Sequence, residues 1–169
     1  MRRGVTRQLL LAVGLVLVGL AGVLATLSVV GLEPHDRRPG LWLTGTRVTA
    51  PVGDWSFTDR YQTIFVQTRS WYGLPHSVTT VCVAYEGRLY LTSTYPPGGR
   101  FPRDRAWNRN VVRDPRVRLK IGAELYDATL AVVTDPAEKV AVLEAKARKY
   151  PRLSAVDTRR VHVFRVSPG

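Results

Sequence analysis

A chain of 169 residues has room for one modest domain and an accessory segment, and its single cysteine, Cys82, excludes an internal disulfide or a multi-cysteine metal site. The formal charge is +12; three arginines and no acid lie before residue 33, so the remainder still carries +9. That balance favours anionic partners, namely phosphates, anionic lipid headgroups or nucleic acid, but no aromatic-rich RNA motif or zinc-type module supports a nucleic-acid partner, and none is expected.

Leu9 to Leu32 contains no charged residue and is rich in Leu, Val, Ala and Gly. About 20 apolar residues span a bilayer core, so residues 1–32 are predicted to form an uncleaved, single-span membrane anchor. A cleaved signal peptide is the alternative, although its apolar part is usually only about 7–15 residues long. Arg2, Arg3 and Arg7 precede the stretch, and Arg37, Arg38 and Arg47 follow it. The compact cluster before the span favours a cytoplasmic N-terminus, with the side taken by the domain left open. Residues 33–56 read as a linker, because Pro34, Pro39, Gly40, Gly45, Pro51 and Gly53 interrupt every periodic run. Trp42 within it suits a membrane interface or a place on the domain.

From residue 57 to 169 the chain reads as a β-rich domain. Tyr61–Thr68 has strand character; His76–Tyr85 and Arg88–Thr94 form a hairpin around Glu86-Gly87. Tyr95–Phe101 is a loop. Asp104 is the predicted cap of a short helix over Ala106–Val112, which Asp114-Pro115 ends. Arg116–Ile121 alternates, with Val117, Leu119 and Ile121 on one face and Arg116, Arg118 and Lys120 on the other. Glu124–Thr134 is a long strand. Asp135-Pro136 starts a helix that runs to about Tyr150, with Val140, Leu143, Ala147 and Tyr150 on one face. Val161–Val166 is the last strand. The fold class is therefore mainly β (α+β): six antiparallel strands closing into a small barrel, two short helices, and one N-terminal transmembrane helix before them. Cys82 lies in an apolar run and reads as a small buried hydrophobe.

The stretch Arg103–Gly122, R-D-R-A-W-N-R-N-V-V-R-D-P-R-V-R-L-K-I-G, followed by E-L-Y-D-A-T-L-A-V-V-T-D and a helix ending in K-Y-P, resembles the flavin-binding split barrels. That superfamily includes pyridoxamine 5'-phosphate oxidase-like and deazaflavin-dependent nitroreductase-like proteins. Trp107-Asn108-Arg109-Asn110 before Asp114-Pro115 is most similar to the latter. The resemblance covers about Tyr61 to Val166. It implies FMN or a deazaflavin in a cleft on the barrel wall, usually between the two subunits of a homodimer; the residues themselves offer no metal-ligand cluster, so no metal is expected. The cofactor-binding residues it implies are Arg69 after the first strand, and His76, Ser77 and Thr79 on the second. Thr92, Ser93 and Thr94 match the end of the third. Arg103, Arg105 and Arg109 match the basic segment, with Trp107 or Asn108 near the ring. Independently of the family, hydroxyls and backbone N–H groups at a strand end suit a phosphate, and arginine adds charge-assisted, often bidentate bonds.

The loop Tyr95–Arg103 departs from the pattern. It holds Pro96, Pro97, Gly98, Gly99 and Pro102 where relatives present a Ser-Gly-Lys-like phosphate segment, and no lysine precedes Lys120. No catalytic residue is singled out; Tyr72, His76 and Tyr85 are conceivable proton donors. There is no Ser-His-Asp order, Rossmann glycine fingerprint or metal-ligand cluster. Two readings follow. One is a membrane-anchored flavin- or deazaflavin-dependent oxidoreductase that transfers hydride to a small substrate. The other is a non-enzymatic, membrane-tethered split-barrel module that binds a cofactor, haem or a protein partner.

Overall fold

Alternation of apolar and polar residues fixes which way each strand faces, and the register then decides which strands share the interior. The computed structural model describes residues 2–36, 38–153 and 157–169; Arg37, counted above among the charges after the apolar stretch, lies outside them. Helix α1 spans Arg2–Val30, and its portion Leu10–Val30 has a mean hydropathy of 2.6 with no part buried inside the molecule. That portion is long and apolar enough to cross a membrane.

Among the described residues, eight strands and two further α-helices follow: β1 (Thr46–Val48), β2 (Ile64–Arg69), β3 (Pro75–Thr80), β4 (Cys82–Tyr85), β5 (Arg88–Thr94), α2 (Ala106–Arg113), β6 (Arg116–Ile121), β7 (Glu124–Val132), α3 (Pro136–Lys149) and β8 (Val161–Pro168). They make one sheet in the order β3-β2-β6-β7-β8-β5-β4, antiparallel throughout, with β1 added parallel to β7. The count is eight where periodicity predicts six. Two differences account for it. The predicted strand His76–Tyr85 changes partner at Val81, pairing with β2 before it and β5 after it. Thr46–Val48 pairs with β7 inside the stretch read as a linker. The end strands β3 and β4 are thus consecutive in the chain, with Val81 alone between them. Thr80 Oγ1 donates to the carbonyl of Thr92 across this join at 3.2 Å.

The inward faces carry Ile64 and Val66 of β2, Leu89 and Leu91 of β5, Val117, Leu119 and Ile121 of β6, and Phe164 and Val166 of β8. Trp107 and Val111 of α2 enter the same core. A second core lies outside the sheet, where Val142 and Ala145 of α3 cover Val83, Tyr90 and Val163. The helix therefore buries Val142, Ala145 and the Lys146 stem; of the predicted face, Tyr150 is buried and Leu143 packs against this core, but Val140 is 56% exposed. Lysine stems are long enough to cover apolar surface, which hides such a face from a hydropathy count. Asp135 caps α3 through the backbone N–H groups of Ala137 and Glu138, as predicted. Glu86 and Gly87 both have positive φ, as a two-residue hairpin turn requires. Asp104 does not cap α2: Arg105 holds the cap position, and Asp104 pairs instead with Arg103 and the Arg100 N–H.

Residues 33–56 lie along the sheet as a strap. Gly40 bridges Ser77 of β3, the Leu43 N–H donates to Gln67 at 2.7 Å, and Glu33 pairs with Lys120 of β6 at 2.5 Å. Leu43 and Trp55 are buried. Within the strap the Leu32 N–H donates to the Trp42 carbonyl, folding the end of α1 back over the sheet. A Cβ on Gly40 would stand 2.2 Å from the Leu32 carbonyl oxygen, so only glycine fits this crossing. Gly40→Ala is expected to destabilise the strap by about 1–3 kcal/mol, the usual range for overpacking. Limited proteolysis of the detergent-solubilised chain reads this as faster cleavage within 33–45; wild-type cleavage rates in Gly40→Ala contradict the packing described.

Candidate cofactor site

Helix α2 is only eight residues long and carries two asparagines, which are weak helix formers; its side-chain bonds to the sheet compensate. Asn108 is wholly buried. Its Oδ1 accepts from Ser93 Oγ of β5 at 2.8 Å and from the Tyr95 hydroxyl at 2.6 Å. Two residues on, Asn110 Nδ2 donates to Thr68 Oγ1 of β2 at 3.0 Å, and Thr68 Oγ1 donates to the His76 carbonyl of β3. The helix thereby spans the seam where β3 leaves β2 and β4 joins β5.

Several predicted site residues meet at this seam. His76 points inward from β3 beside Thr68, half-buried, and its Nδ1 has no partner among the described residues. Burial pushes the His76 imidazole below its ordinary value, and the Arg109 guanidinium adds to that push. Asn108 Nδ2 is likewise buried without a partner. A buried polar atom left unpaired costs about 1–3 kcal/mol, and Ser77 Oγ and Thr92 Oγ1 on the outward face also lack a partner among the described residues. Arg105 lies with its guanidinium 5.4 Å from the centre of the Tyr95 ring and donates to the Thr94 carbonyl. Arg109 donates to the Arg103 carbonyl. Among the described residues, no carboxylate forms an ion pair with Arg105 or Arg109.

Other predicted residues are placed elsewhere. Ser77 is fully buried on the outward face of β3, under the strap at Gly40. Thr79 shares that outward face, opposite Phe65. Thr92 and Thr94 lie on the outward face of β5, where Thr92 has the company of Tyr90 and Val163. Trp107 is a core residue whose ring is 5.0 Å from Phe164. Arg103 is paired with Asp104 at 2.9 Å. Arg69 is at the far end of α2, where its carbonyl accepts from Arg113. Its side chain lines an open groove of about 690 Å³ with Trp42, Arg47, Asp114, Arg116 and Arg118. There Arg116 forms a bidentate pair with Asp114, and Arg118 and Arg47 share Asp127.

Tyr95, Asn110 and Thr68 belong to the seam and were not singled out by sequence. The signal for them was two asparagines at alternate positions of one short helix, a pattern that asks for partners on the sheet. Burial pushes the Tyr95 phenol up to about 12, so it acts as a hydroxyl donor to Asn108. Phe101 stacks on His162 at 4.1 Å at the same end of the interior. Cys82 is buried, and burial pushes its thiol up, as befits a packing residue. Among the described residues, no three His, Cys, Asp or Glu side chains gather closely enough to hold a metal ion.

Comparisons by sequence find no matching family model and no matching curated protein. Comparison by structure finds a common fold. A protein assigned as a 5-nitroimidazole antibiotic resistance protein from Bacteroides thetaiotaomicron matches with a TM-score of 0.53 at 15% identity, over 79% of this chain and 89% of that one. HutZ, the haem storage protein from Vibrio cholerae, matches with a TM-score of 0.50 at 16% identity, over 67% and 85% of the two chains. A protein assigned as a pyridoxamine 5'-phosphate oxidase from Listeria innocua matches with a TM-score of 0.50 at 16% identity, over 66% and 86%. The fold is that of the pyridoxamine 5'-phosphate oxidase-like split barrels.

Two outcomes are expected from the seam. Asn108→Ala leaves the buried hydroxyls of Ser93 and Tyr95 without their acceptor; thermal unfolding should show a loss of about 2–4 kcal/mol. A loss within about 0.5 kcal/mol, the range of an ordinary surface change, would mean that Asn108 does not tie the helix to the sheet. The second concerns pH. Burial lowers both His76 and His162 below the ordinary imidazole value of about 6.5, so the folded state favours their neutral forms. Their contribution is present above pH 6.5 and is lost as pH falls through the depressed folded values, because the unfolded chain takes up protons first. The melting temperature of the wild type should therefore drop on acidification below pH 6.5, and the drop should be shallower in His76→Gln. Parallel pH profiles for the two proteins would refute the assignment for His76.

Proposed function

We propose that this chain is a membrane-anchored oxidoreductase of the split-barrel type that holds FMN or a deazaflavin at the seam under α2. The observation that carries this reading is the meeting, among the described residues, of two unpaired buried polar atoms, His76 Nδ1 and Asn108 Nδ2, with two guanidiniums that pair with no acid, Arg105 and Arg109. The donor set fits the group. Arg105 and Arg109 offer charge-assisted bonds to a phosphate, and neutral His76 offers a ring nitrogen to a polar edge. Asn108, Ser93 and Tyr95 position α2 from behind. Trp107 fixes the same helix through the core and keeps water from the interior side. The bound ring would supply hydride transfer to and from a small substrate.

Three further elements complete the proposal. The sheet wraps into a barrel through the Val81 join. A second copy of the chain covers the open side of the seam, giving a homodimer. Helix α1 anchors the assembly, with its N-terminus in the cytoplasm. The fold shared with HutZ, a haem storage protein, gives the binding-module reading a definite form, in which haem takes the place of the flavin.

Full-length protein purified in detergent, titrated with FMN and with a deazaflavin and followed by fluorescence quenching, tests this. Saturable quenching is expected, and Arg105→Ala or Arg109→Ala should each weaken it at least about tenfold, the worth of one charge-assisted bond. Absence of binding to either compound defeats the proposal. A Soret band on adding haem, with no flavin quenching, replaces it with the storage-type reading.

A further inference from the structure

The largest exposed aromatic side chains described lie at the tip of the β2–β3 hairpin. Trp71 is 82% exposed and Tyr72 58%, and their rings stand edge to face at 5.3 Å. The tip is firmly built. The Ser70 N–H and hydroxyl both donate to the Leu74 carbonyl, and the Gly73 N–H donates back to Ser70. Arg113 of α2 donates to the Arg69 carbonyl at the hairpin's base. Val112, beside it on the helix, is 55% exposed. An apolar patch fixed in shape and left in water calls for a covering surface.

Charge narrows what that surface is. Among the described residues, neither Arg69 nor Arg113 forms an ion pair; the acid nearest in sequence to Arg113, Asp114, is occupied by both nitrogens of Arg116. Arg105, Arg109 and Arg113 follow one another at four-residue intervals, so their Cα atoms form one ridge that ends at the hairpin. Position narrows it further. Trp42, Arg69, Gly73 and Pro75 line one groove, and the Trp42 carbonyl accepts from Leu32, two residues past the end of α1. The hairpin's base and the segment that follows the apolar helix therefore flank the same groove. Trp and Tyr favour the level of lipid headgroups, and arginine near an anionic leaflet is attracted to it.

We propose that the β2–β3 hairpin, with Trp71 and Tyr72 at its tip and Arg69 and Arg113 behind them, docks on the anionic headgroup surface of the bilayer that α1 crosses. The proposal rests on the reading of α1 as a membrane anchor. Docking ties the domain to the membrane at a second point and removes its freedom to rotate about the strap. The cofactor seam is then held at a fixed height, since Arg105 lies about 12 Å from Arg113 along the helix axis.

Full-length protein reconstituted into vesicles containing brominated phosphatidylcholine, with and without phosphatidylglycerol, provides the test. Trp71 is read as the difference in tryptophan quenching between wild type and Trp71→Phe. Flotation after alkaline washing is measured on the same samples. The expected result is flotation with both vesicle types, Trp71 quenching on the anionic vesicles alone, and loss of that quenching in Arg69→Glu/Arg113→Glu or at high salt. Flotation with no Trp71 quenching overturns the docking and leaves the anchor standing; a second copy covering the patch gives this result. Equal quenching on neutral and anionic vesicles overturns the role of the arginines. Failure to float defeats the anchor and the docking together. Thermal unfolding of both variants at the wild-type temperature confirms that the substitutions leave the fold intact.

Discussion

Helix α2 is tied to two parts of the sheet that do not pair with each other, and the site depends on that tie. Among the strands, β3 pairs with β2 and β4 with β5, so at Val81 the sheet has a seam crossed by the chain and by the Thr80 hydroxyl on the Thr92 carbonyl. Asn110 fastens α2 to β2, and Asn108 fastens it to β5 and the following Tyr95. Trp107 and Val111 then fill the interior beneath. The helix thus works as a clasp. Its polar side chains set the angle, its apolar ones set the depth, and Arg105 and Arg109 are left outward at the mouth. An arginine on a free loop would lose far more conformational freedom on gripping an anion than one already bonded to a carbonyl, as these two are.

Sequence discloses this arrangement unevenly, for reasons that can be named. Arg116–Ile121 is legible because its two faces differ fully in polarity, and the Glu86-Gly87 turn because only a few residue pairs suit it. The break at Val81 is not legible. Val78, Thr80 and Cys82 keep the two-residue alternation straight through it, and only the partner strand changes. The active face of α3 is hidden because Lys146 and Lys149 belong to it through their stems, while Val140 faces water. The strap is hidden because its attachment is largely through backbone and single side chains, between glycines and prolines that erase any period.

The candidate site shows the same split. His76, Asn108, Arg105 and Arg109 are both predicted and gathered, because the basic helix carries most of them. Ser77, Thr79, Thr92 and Thr94 are on strands that a motif can place in sequence but not by face. A step of one residue turns a side chain from the interior to the outside of the sheet, which separates Ser93 from its neighbours Thr92 and Thr94.

The arginines sort themselves by whether an acid answers them, and this divides the surface by task. Arg47, Arg116 and Arg118 on the outward side of the sheet are matched by Asp114 and Asp127, so that face carries little unbalanced charge. Asp114 is held down to about 2 by Arg116, which keeps this pair ionised across any physiological pH. Such pairs are exposed and contribute modestly to stability, about 0–1 kcal/mol each. Arg105, Arg109 and Arg113 have backbone carbonyls as partners instead, which orient a guanidinium without neutralising it, and Arg69 forms no ion pair among the described residues. Unbalanced charge thus concentrates along α2 and the hairpin at its end. One end of that ridge meets unsatisfied buried atoms, which favours a discrete phosphate-bearing ligand. The other meets the solvent-exposed aromatic rings at the hairpin tip, which favours an extended anionic surface. The same residue type is therefore read in two ways by what stands next to it.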